Sequence, residues 1–454
     1  MPGILLTHSN HLFSDRKQVE KMQPYPPLQT LIAAAVIRDR DIPVALFDPT
    51  FACAKDDFEA VCERHQPDAI VVCEDDFNFL SKMCLARNRE LAFRMSERAR
   101  TRGIPIFAHG SDATDHSREY LDAGFEGILI GEVEETLVEI ASGKPRSQIC
   151  GLVYRSDAGV RFTASRPLNA DLDRLPLPAW NMVEMNRYRD AWMAAHGYFS
   201  LNVVTSRGCP YRCNWCAKPI YGNAYHARSP KSVAAELHAL KQAFHPDHIW
   251  FADDIFALSS RWTTEFADCV EAMDARIPFK MQSRCDLMTR DTATALRRSG
   301  CEEVWMGAES GSQRILDAMD KGIRVQDIHR ACANLRNNGI RACLFLQFGY
   351  PGEEWKEIEE TIGMLREVAP DDVGISVSYP LPGTRFHQIV SGQLGQKANW
   401  TESGDLSMMF RGAYGSVFYR ALADAIHAEV RGGDPAQAWC RVHELRREFV
   451  EKVA

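Results

Sequence analysis

Arg207-Gly208-Cys209-Pro210-Tyr211-Arg212-Cys213-Asn214-Trp215-Cys216 sets three cysteines at C-x3-C-x2-C spacing, just after an apolar run, Phe199 to Val204, that reads as a β-strand. A tight loop of this kind can aim three thiolates at one place. Three thiolates are one short of the set that closes an iron–sulfur cluster. An open position on a metal is where a substrate or cofactor can bind, as open catalytic zinc sites show by analogy. A zinc knuckle short of a ligand is the alternative, disfavoured because zinc sites use paired C-x2-C or Cys/His spacings.

Downstream of this loop the chain alternates strand and helix. Phe199–Val204, His248–Ala252, Phe279–Ser283, Val304–Gly307, Cys343–Phe348 and Gly374–Ser378 read as strands, which predicts a partial (β/α)6 barrel over residues 196–390. Ser229 and Pro230 supply the cap and first turn of the first helix, and Val233, Leu237, Leu240 and Phe244 recur on one face of it. In parallel barrels the chemistry sits at the carboxyl ends of the strands. Those ends carry the cysteine loop, Asp253-Asp254, Gln282 and Arg284, Gly307 to Gly311 with Glu309 and Ser310, Gly349 to Glu353, and Tyr379 to Thr384. A lone acid at a strand end is ordinarily just solvated; a polar residue at every one is harder to explain by chance.

Upstream, residues 1–145 also alternate strand and helix. Gly3–Thr7, Pro43–Phe47, Ala69–Cys73, Ile104–Ala108 and Gly127–Ile130 are short runs without polar alternation, as expected of a parallel sheet covered on both faces. The β–α order predicts a doubly wound, Rossmann-like α/β domain with ligands beyond the carboxyl ends of its strands. Leu28–Arg40 reads as a helix with Leu28, Leu31, Ile32, Ala35 and Val36 on one face. Cys53, Cys62, Cys73 and Cys84 are strung through predicted strands and helices, which suits core packing better than a second cluster. Of the histidines here, His8 and His109 fall at strand ends; His11, His65 and His116 read as structural or solvated. Residues 146–195 form a connector with a small hairpin around Asp157–Gly159 and the proline-rich Leu175–Trp180. Residues 391–454 begin polar and end in a helical extension, with Phe418, Leu422, Ala425 and Ile426 on one face.

The 454 residues suggest about three domains. A charged fraction of 25% and a hydrophobic fraction of 45% are those of an ordinary globular protein. A formal charge of −8 argues against nucleic acid as an obligate partner. No apolar run nears the roughly 20 residues that span a bilayer, and no signal peptide is expected. Fourteen cysteines without an export signal point to a reducing, cytoplasmic setting.

The cysteine loop, with Trp215 before its last cysteine, resembles the CxxxCxφC loop of the radical SAM superfamily. Phe251-Ala-Asp-Asp254 takes the place of the "GGE" segment, Glu309-Ser310 resembles "GxES", and Gly349–Glu353 resembles "GxPGE". Tyr25-Pro-Pro-Leu28 and Gly131-Glu-Val-Glu-Glu-Thr136 resemble the "YPPLG" and "GEGEET" segments of the class B proteins, which carry a cobalamin-binding domain. Two departures stand out: His109-Gly110 replaces the usual double glycine, and residues 1–145 hold no Asp-x-His-x-x-Gly. The resemblance implies a 4Fe–4S cluster on Cys209, Cys213 and Cys216. It implies S-adenosylmethionine (SAM) near Trp215, Asp253, Asp254, Gln282, Arg284, Glu309, Ser310 and Gly349, with Arg284 a partner for the SAM carboxylate. It implies cobalamin near Gly110, Gly131 and Glu132, without a motif histidine on cobalt. The activity it implies is reductive cleavage of SAM to a 5′-deoxyadenosyl radical, followed by methylation of an unactivated carbon on a small molecule. An electron donor such as flavodoxin or ferredoxin would supply the reductant. Radical cyclisation, oxidation or rearrangement, as in the anaerobic porphyrin cyclases, is the second expectation; a non-catalytic iron–sulfur or corrinoid carrier is the third. No catalytic acid or base is assigned from the sequence.

Overall fold

A computed structural model describes residues 3–52 and 56–453. Its first sheet is built on β1 (Ile4–Thr7), β2 (Val44–Leu46), β3 (Ala69–Cys73), β4 (Ile106–His109) and β5 (Gly127–Leu129), parallel and in the order β2-β1-β3-β4-β5. This order reverses direction between β1 and β3, the crevice where doubly wound sheets hold ligands. The hairpin expected in the connector instead extends this sheet. β6 (Leu152–Ser156) pairs antiparallel with β5, and β7 (Gly159–Phe162) with β6. The sheet therefore runs past the expected boundary at 145, because the buried Leu152 and Val153 complete its core.

The helix Leu28–Arg38 departs from the one-faced expectation. Every residue from Leu28 to Ile37 is buried. Leu28, Leu31 and Ile32 pack into the core of the second domain, while Ala33, Ala34, Ala35 and Ile37 pack onto the first sheet. The helix is enclosed on all sides, and its buried polar side chains are bonded: Thr30 Oγ1 donates to the Cys73 carbonyl (2.7 Å) and Gln29 Nε2 to Glu134 (3.0 Å). Cys62, Cys73 and Cys84 are buried free thiols whose pKa values burial raises; Cys53 lies outside the described residues.

The second sheet is open, parallel and six-stranded. It contains β8 (Ser200–Val203), β11 (His248–Phe251), β12 (Phe279–Ser283), β13 (Cys301–Glu309), β14 (Arg341–Phe348) and β15 (Asp372–Val377), each paired with the next. Between β8 and β11 lie two short strands, β9 (Ser206–Arg207) and β10 (His226–Ala227), paired antiparallel. Alternate residues of the long strands, such as Leu201, Phe251, Met281, Met306 and Leu346, enter the core under the surrounding helices. The intervening residues line the barrel lumen.

The C-terminal extension ties the parts together. Its irregular stretch reaches the first domain, where Ser403 N donates to Asp15 (2.7 Å) and Gln18 Nε2 to Ser403 Oγ (2.9 Å). Trp400 stacks on Tyr379 beyond β15 at 4.3 Å. The helices Ser416–Val430 and Ala436–Val453 then pack on each other. No helix among the described residues is long and apolar enough to cross a membrane.

Candidate active site

The cysteine loop leaves the sheet through the β9/β10 neck. Gly208 has φ +78°, and a Cβ there would lie 2.3 Å from the Ala224 carbonyl oxygen, so only glycine lets the two sides of the neck close. Asp253, at the end of β11, holds the base of the neck. Its buried carboxylate accepts from Thr205 N (3.1 Å), Thr205 Oγ1 (2.7 Å) and Ser206 Oγ. Burial raises its pKa to about 6 against the pull of these bonds. Gln282 Nε2 in turn donates to the Asp253 carbonyl (2.7 Å). Asp253 and Gln282 thus support the loop from beneath.

The far side of the loop is pinned by Asn214, to which the sequence reading gave no role. Its backbone N donates to the Met319 carbonyl (3.0 Å), and its Nδ2 to the Ala318 carbonyl (2.7 Å). Its Oδ1 accepts from Tyr350 Oη (3.0 Å). Trp215 packs against the small cluster of Ile315, Met319, Tyr350 and Phe386. Lys218 Nζ caps the loop carbonyls of Cys209 (3.0 Å) and Tyr211.

Cys209, Cys213 and Cys216 are half-buried free thiols. Burial, then the charge of Asp254, pushes Cys216 up to about 12 as a thiol. Two cations lie beside Cys213. Arg284 Nη1 is 4.0 Å from its sulfur, and Lys321, 5.9 Å from the Trp215 ring centre, has its pKa raised by Glu309 first and then by the Cys213 thiolate. Arg284 also covers the Tyr211 ring at 3.7 Å and bonds Asp286 (3.0 Å) and the Lys321 carbonyl (3.0 Å). Glu309 and Lys321 form a buried ion pair at 2.6 Å. Ser310 contacts Thr361 Oγ1 (3.1 Å) and shapes the turn after β13. Gly349, with φ +75°, admits Met408 of the extension, which a Cβ would meet at 2.9 Å. Its N–H donates to Glu353, whose carboxyl burial pushes up to about 8.

At the first sheet, Glu132 pairs with Arg207 (2.9 Å) and accepts from Asn169 N. Glu134 pairs with the same guanidinium and accepts from Gln29 Nε2 (3.0 Å). Arg207 is 3% exposed. The Gly131–Thr136 segment therefore grips the residue that begins the cysteine loop. Sequence reading quoted Arg207 without this role; its place two residues before the first cysteine was the available signal. Asp254 forms a second bridge to the first domain, through Lys82.

The residues present fit the implied groups. A cubane takes each cysteine on a different iron, which needs a wider set than a single ion does. Cys209, Cys213 and Cys216 lie half-buried on one loop, with the Arg284 guanidinium 4.0 Å from the Cys213 sulfur to offset thiolate charge. Beyond β3, the buried Glu74 Oε2 and both carboxyl oxygens of Asp76 accept no hydrogen bond, leaving polar atoms for a ligand to satisfy. Gly110 opens the neighbouring space: a Cβ there would meet the Glu74 side chain at 2.7 Å. Both ring nitrogens of His8 are engaged, with Asp48 (3.1 Å) and Asn10 N (3.2 Å). So are those of His109, with the Gly131 carbonyl (3.0 Å) and Cys73 Sγ (3.9 Å), and its Nε2 also lies 3.4 Å from Asp76 Oδ2.

Residues 203–365 match the sequence profile of the Radical SAM superfamily. That stretch is a radical SAM domain. A relative described as an uncharacterized methyltransferase of Pyrococcus horikoshii is 28% identical over 315 residues, covering 65% of this chain and 68% of that protein. The anaerobic magnesium-protoporphyrin IX monomethyl ester cyclase of Rubrivivax gelatinosus is 25% identical over 287 residues, covering 60% of this chain but 49% of the cyclase. The match thus spans about half of that relative's length. Among solved structures, the radical SAM methyltransferase TsrM of Kitasatospora setae, with cobalamin and a 4Fe–4S cluster bound, superposes with a TM-score of 0.69 at 18% identity, covering 86% of this chain and 75% of TsrM. The cobalamin-dependent radical SAM enzyme OxsB superposes with a TM-score of 0.68 at 17% identity, covering 86% of this chain and 55% of OxsB. The chain shares their fold, a doubly wound domain followed by an open barrel.

Proposed function

We propose that this chain is a cobalamin-dependent radical SAM methyltransferase acting on an unactivated carbon of a small molecule. The observation that carries the reading is the joining of the two domains at the cysteine loop. Glu132 and Glu134 of the first domain clamp Arg207, and Lys82 reaches Asp254, so both sets of strand ends border one space. When bound, the cluster, SAM and cobalamin supply the electron transfer, the radical and the methyl group; the protein positions them and excludes water.

Cys209, Cys213 and Cys216 would hold the cluster. Arg284 and Lys321 offset the negative charge that gathers there. Asp254, Glu309, Ser310 and Gly349 border the SAM site, with Trp215 as its apolar wall. Asp253 and Gln282 hold the loop that carries the thiols. Glu74, Asp76 and Gly110 line the first domain's side. Gly131 and Glu132 serve that site through the backbone and through Arg207. A cyclisation or oxidation driven by the same radical is the second reading, supported by the cyclase relatives.

The test is anaerobic reconstitution of the wild type and of the Cys209→Ala/Cys213→Ala/Cys216→Ala variant. The wild type should take up about four irons per chain and cleave SAM under reduction. The variant should do neither. Iron retained by the variant would move the cluster to other cysteines. SAM cleavage by wild-type protein that never retains cobalamin would promote the second reading.

A further inference from the structure

The barrel lumen carries an arrangement that the cofactor sites leave unexplained. Trp305 on β13 and Phe345 on β14 stack in it, with ring centres 4.9 Å apart and planes at 29°. Neither belongs to a hydrophobic core cluster, and Phe345 is 37% exposed although it lies mid-strand in a central strand. Gly374, facing Phe345 on β15, keeps this ring in place: a Cβ there would meet Phe345 Cδ1 at 2.8 Å and Trp305 at 3.4 Å. The indole N–H is already bonded to Glu303 (2.6 Å), so the rings offer faces rather than donors.

One step nearer the amino ends of the strands, the lumen is basic. Lys280 on β12 is half-buried, and its ammonium makes no hydrogen bond or ion pair among the described residues. Its neighbour Glu303 is committed to Arg341 (2.8 Å) and to Trp305. Lys17, half-buried, and Lys21, exposed, one turn apart on the helix Arg16–Lys21, add two more ammonium groups with no hydrogen bond or ion pair among the described residues. Asp372, the acid at this end, is bonded to Arg431 (3.1 Å). Burial lowers the Lys280 pKa against the pull of Glu303, and a desolvated ammonium with no hydrogen bond of its own gains from an added anion.

We infer that the lumen binds a small molecule with a flat unsaturated ring and an anionic group, the ring lying on Phe345 and Trp305 and the anion reaching Lys280. This rests on the proposed function and deepens it to a substrate class. The order along the strands also sets an orientation. Lys280 lies toward the amino ends, the aromatic pair above it, and Arg284 and Glu309 at the carboxyl ends beside the thiols. The carbon that reacts is therefore at the end of the molecule away from its acidic group.

The test is equilibrium binding to the full-length protein, with and without SAM, by calorimetry and tryptophan fluorescence. The probes are indole-3-propionate, its neutral amide, 1-naphthyl phosphate and hexanoate. Indole-3-propionate should bind about tenfold or more tightly than the amide or hexanoate; the phosphate arm tells whether phosphate serves as well as carboxylate. Lys280→Met should erase the difference between acid and amide, and Lys280→Arg should keep it. Phe345→Ala should weaken both indoles several-fold, while Phe345→Tyr should not. The inference is overturned if no aromatic acid binds saturably, if hexanoate or the amide binds as well as the acid, or if Lys280→Met and Phe345→Ala leave binding unchanged. Iron content and SAM cleavage do not depend on these outcomes, so the substrate class and the proposed function can fail separately.

Discussion

The two sets of strand ends solve opposite problems. At the barrel, nearly every polar side chain is already matched: Asp253 to the loop base, Glu309 to Lys321, Arg284 to Asp286 and a carbonyl. At the first sheet, Glu74 Oε2 and both Asp76 carboxyl oxygens make no hydrogen bond; the His109 ring lies 3.4 Å from Asp76, which is 1% exposed. A matched set is a rigid frame for chemistry that needs fixed geometry. An unmatched buried set costs stability until a ligand supplies hydrogen bonds. The barrel is thus prebuilt, whereas the first domain is left to be completed by what it binds.

The severest way to break this contrast is to cut the joint between the two regions. Arg207→Ala leaves Glu132 and Glu134 buried without a counter-charge. The expected loss is about 3–5 kcal/mol of stability, read from urea midpoints. Arg207→Lys should recover part of it, since a single ammonium cannot serve both carboxylates with a fork. A loss below about 1 kcal/mol for the alanine variant would mean that the two regions are not held together here.

A pH series tests the one barrel-end acid that is not fully matched. Glu353 has its carboxyl raised to about 8 by burial, and its Oε1 has no partner. In the folded state it stays protonated where the unfolded chain has already lost its proton. Its contribution to stability is complete below the ordinary carboxylate range and declines as pH rises toward about 8, by at most about 1.4 kcal/mol per unit. Glu353→Gln should flatten that decline relative to the wild type. Parallel curves for the two proteins would show that Glu353 ionises normally.

Asp76→Asn sharpens the other side of the comparison. Burial, and next the charge of Asp75, raises the Asp76 pKa. Replacing the acid should stabilise the cofactor-free protein by about 1 kcal/mol, seen as a higher urea midpoint, while reducing cobalamin retention after reconstitution. A destabilised variant that retains cobalamin normally would mean that Asp76 is satisfied within the protein.

The contrast also marks how far the sequence could be read. The strands of both parallel sheets were legible: most of those of the first are short apolar runs, those of the second alternate core residues with lumen residues, as in Phe279–Ser283, and the spacing between them leaves room for helices. β13 was under-read: Val304–Gly307 is the apolar centre of Cys301–Glu309. The ends missed were those carrying Glu302, Glu303 and Glu309, which alternate between surface, lumen and site. Cys209, Cys213 and Cys216 could be singled out as candidate ligands because their pattern is one of local spacing. Arg207, Asn214, Lys82 and Lys321 were not, because each acts on a partner remote in sequence: Arg207 on Glu132, Lys82 on Asp254. The double role of Leu28–Arg38 was hidden for a related reason. Its periodicity shows an apolar face, but only tertiary packing reveals that the small Ala33–Ala35 run is a second one.

The smallest effect expected is at the second bridge between the regions, Lys82–Asp254. Both side chains are about a third exposed or less, so water screens the pair only in part. Pairs of this kind are worth about 1 kcal/mol or less. A double-mutant cycle with Lys82→Met and Asp254→Asn should return a coupling of that size in the cofactor-free protein. The value of the bridge lies elsewhere. Asp254 is close enough to Cys216 to make its thiol harder to ionise, and Lys82 is held against Asp254. Removing Lys82 alone leaves Asp254's charge uncompensated beside the thiol, so Lys82→Met should slow cluster assembly by several-fold, measured as iron uptake against time. Asp254→Asn removes the opposing charge and should restore the rate even when Lys82 is absent. Equal rates in the wild type and both single variants would mean that this bridge joins the domains without touching the chemistry of the thiols.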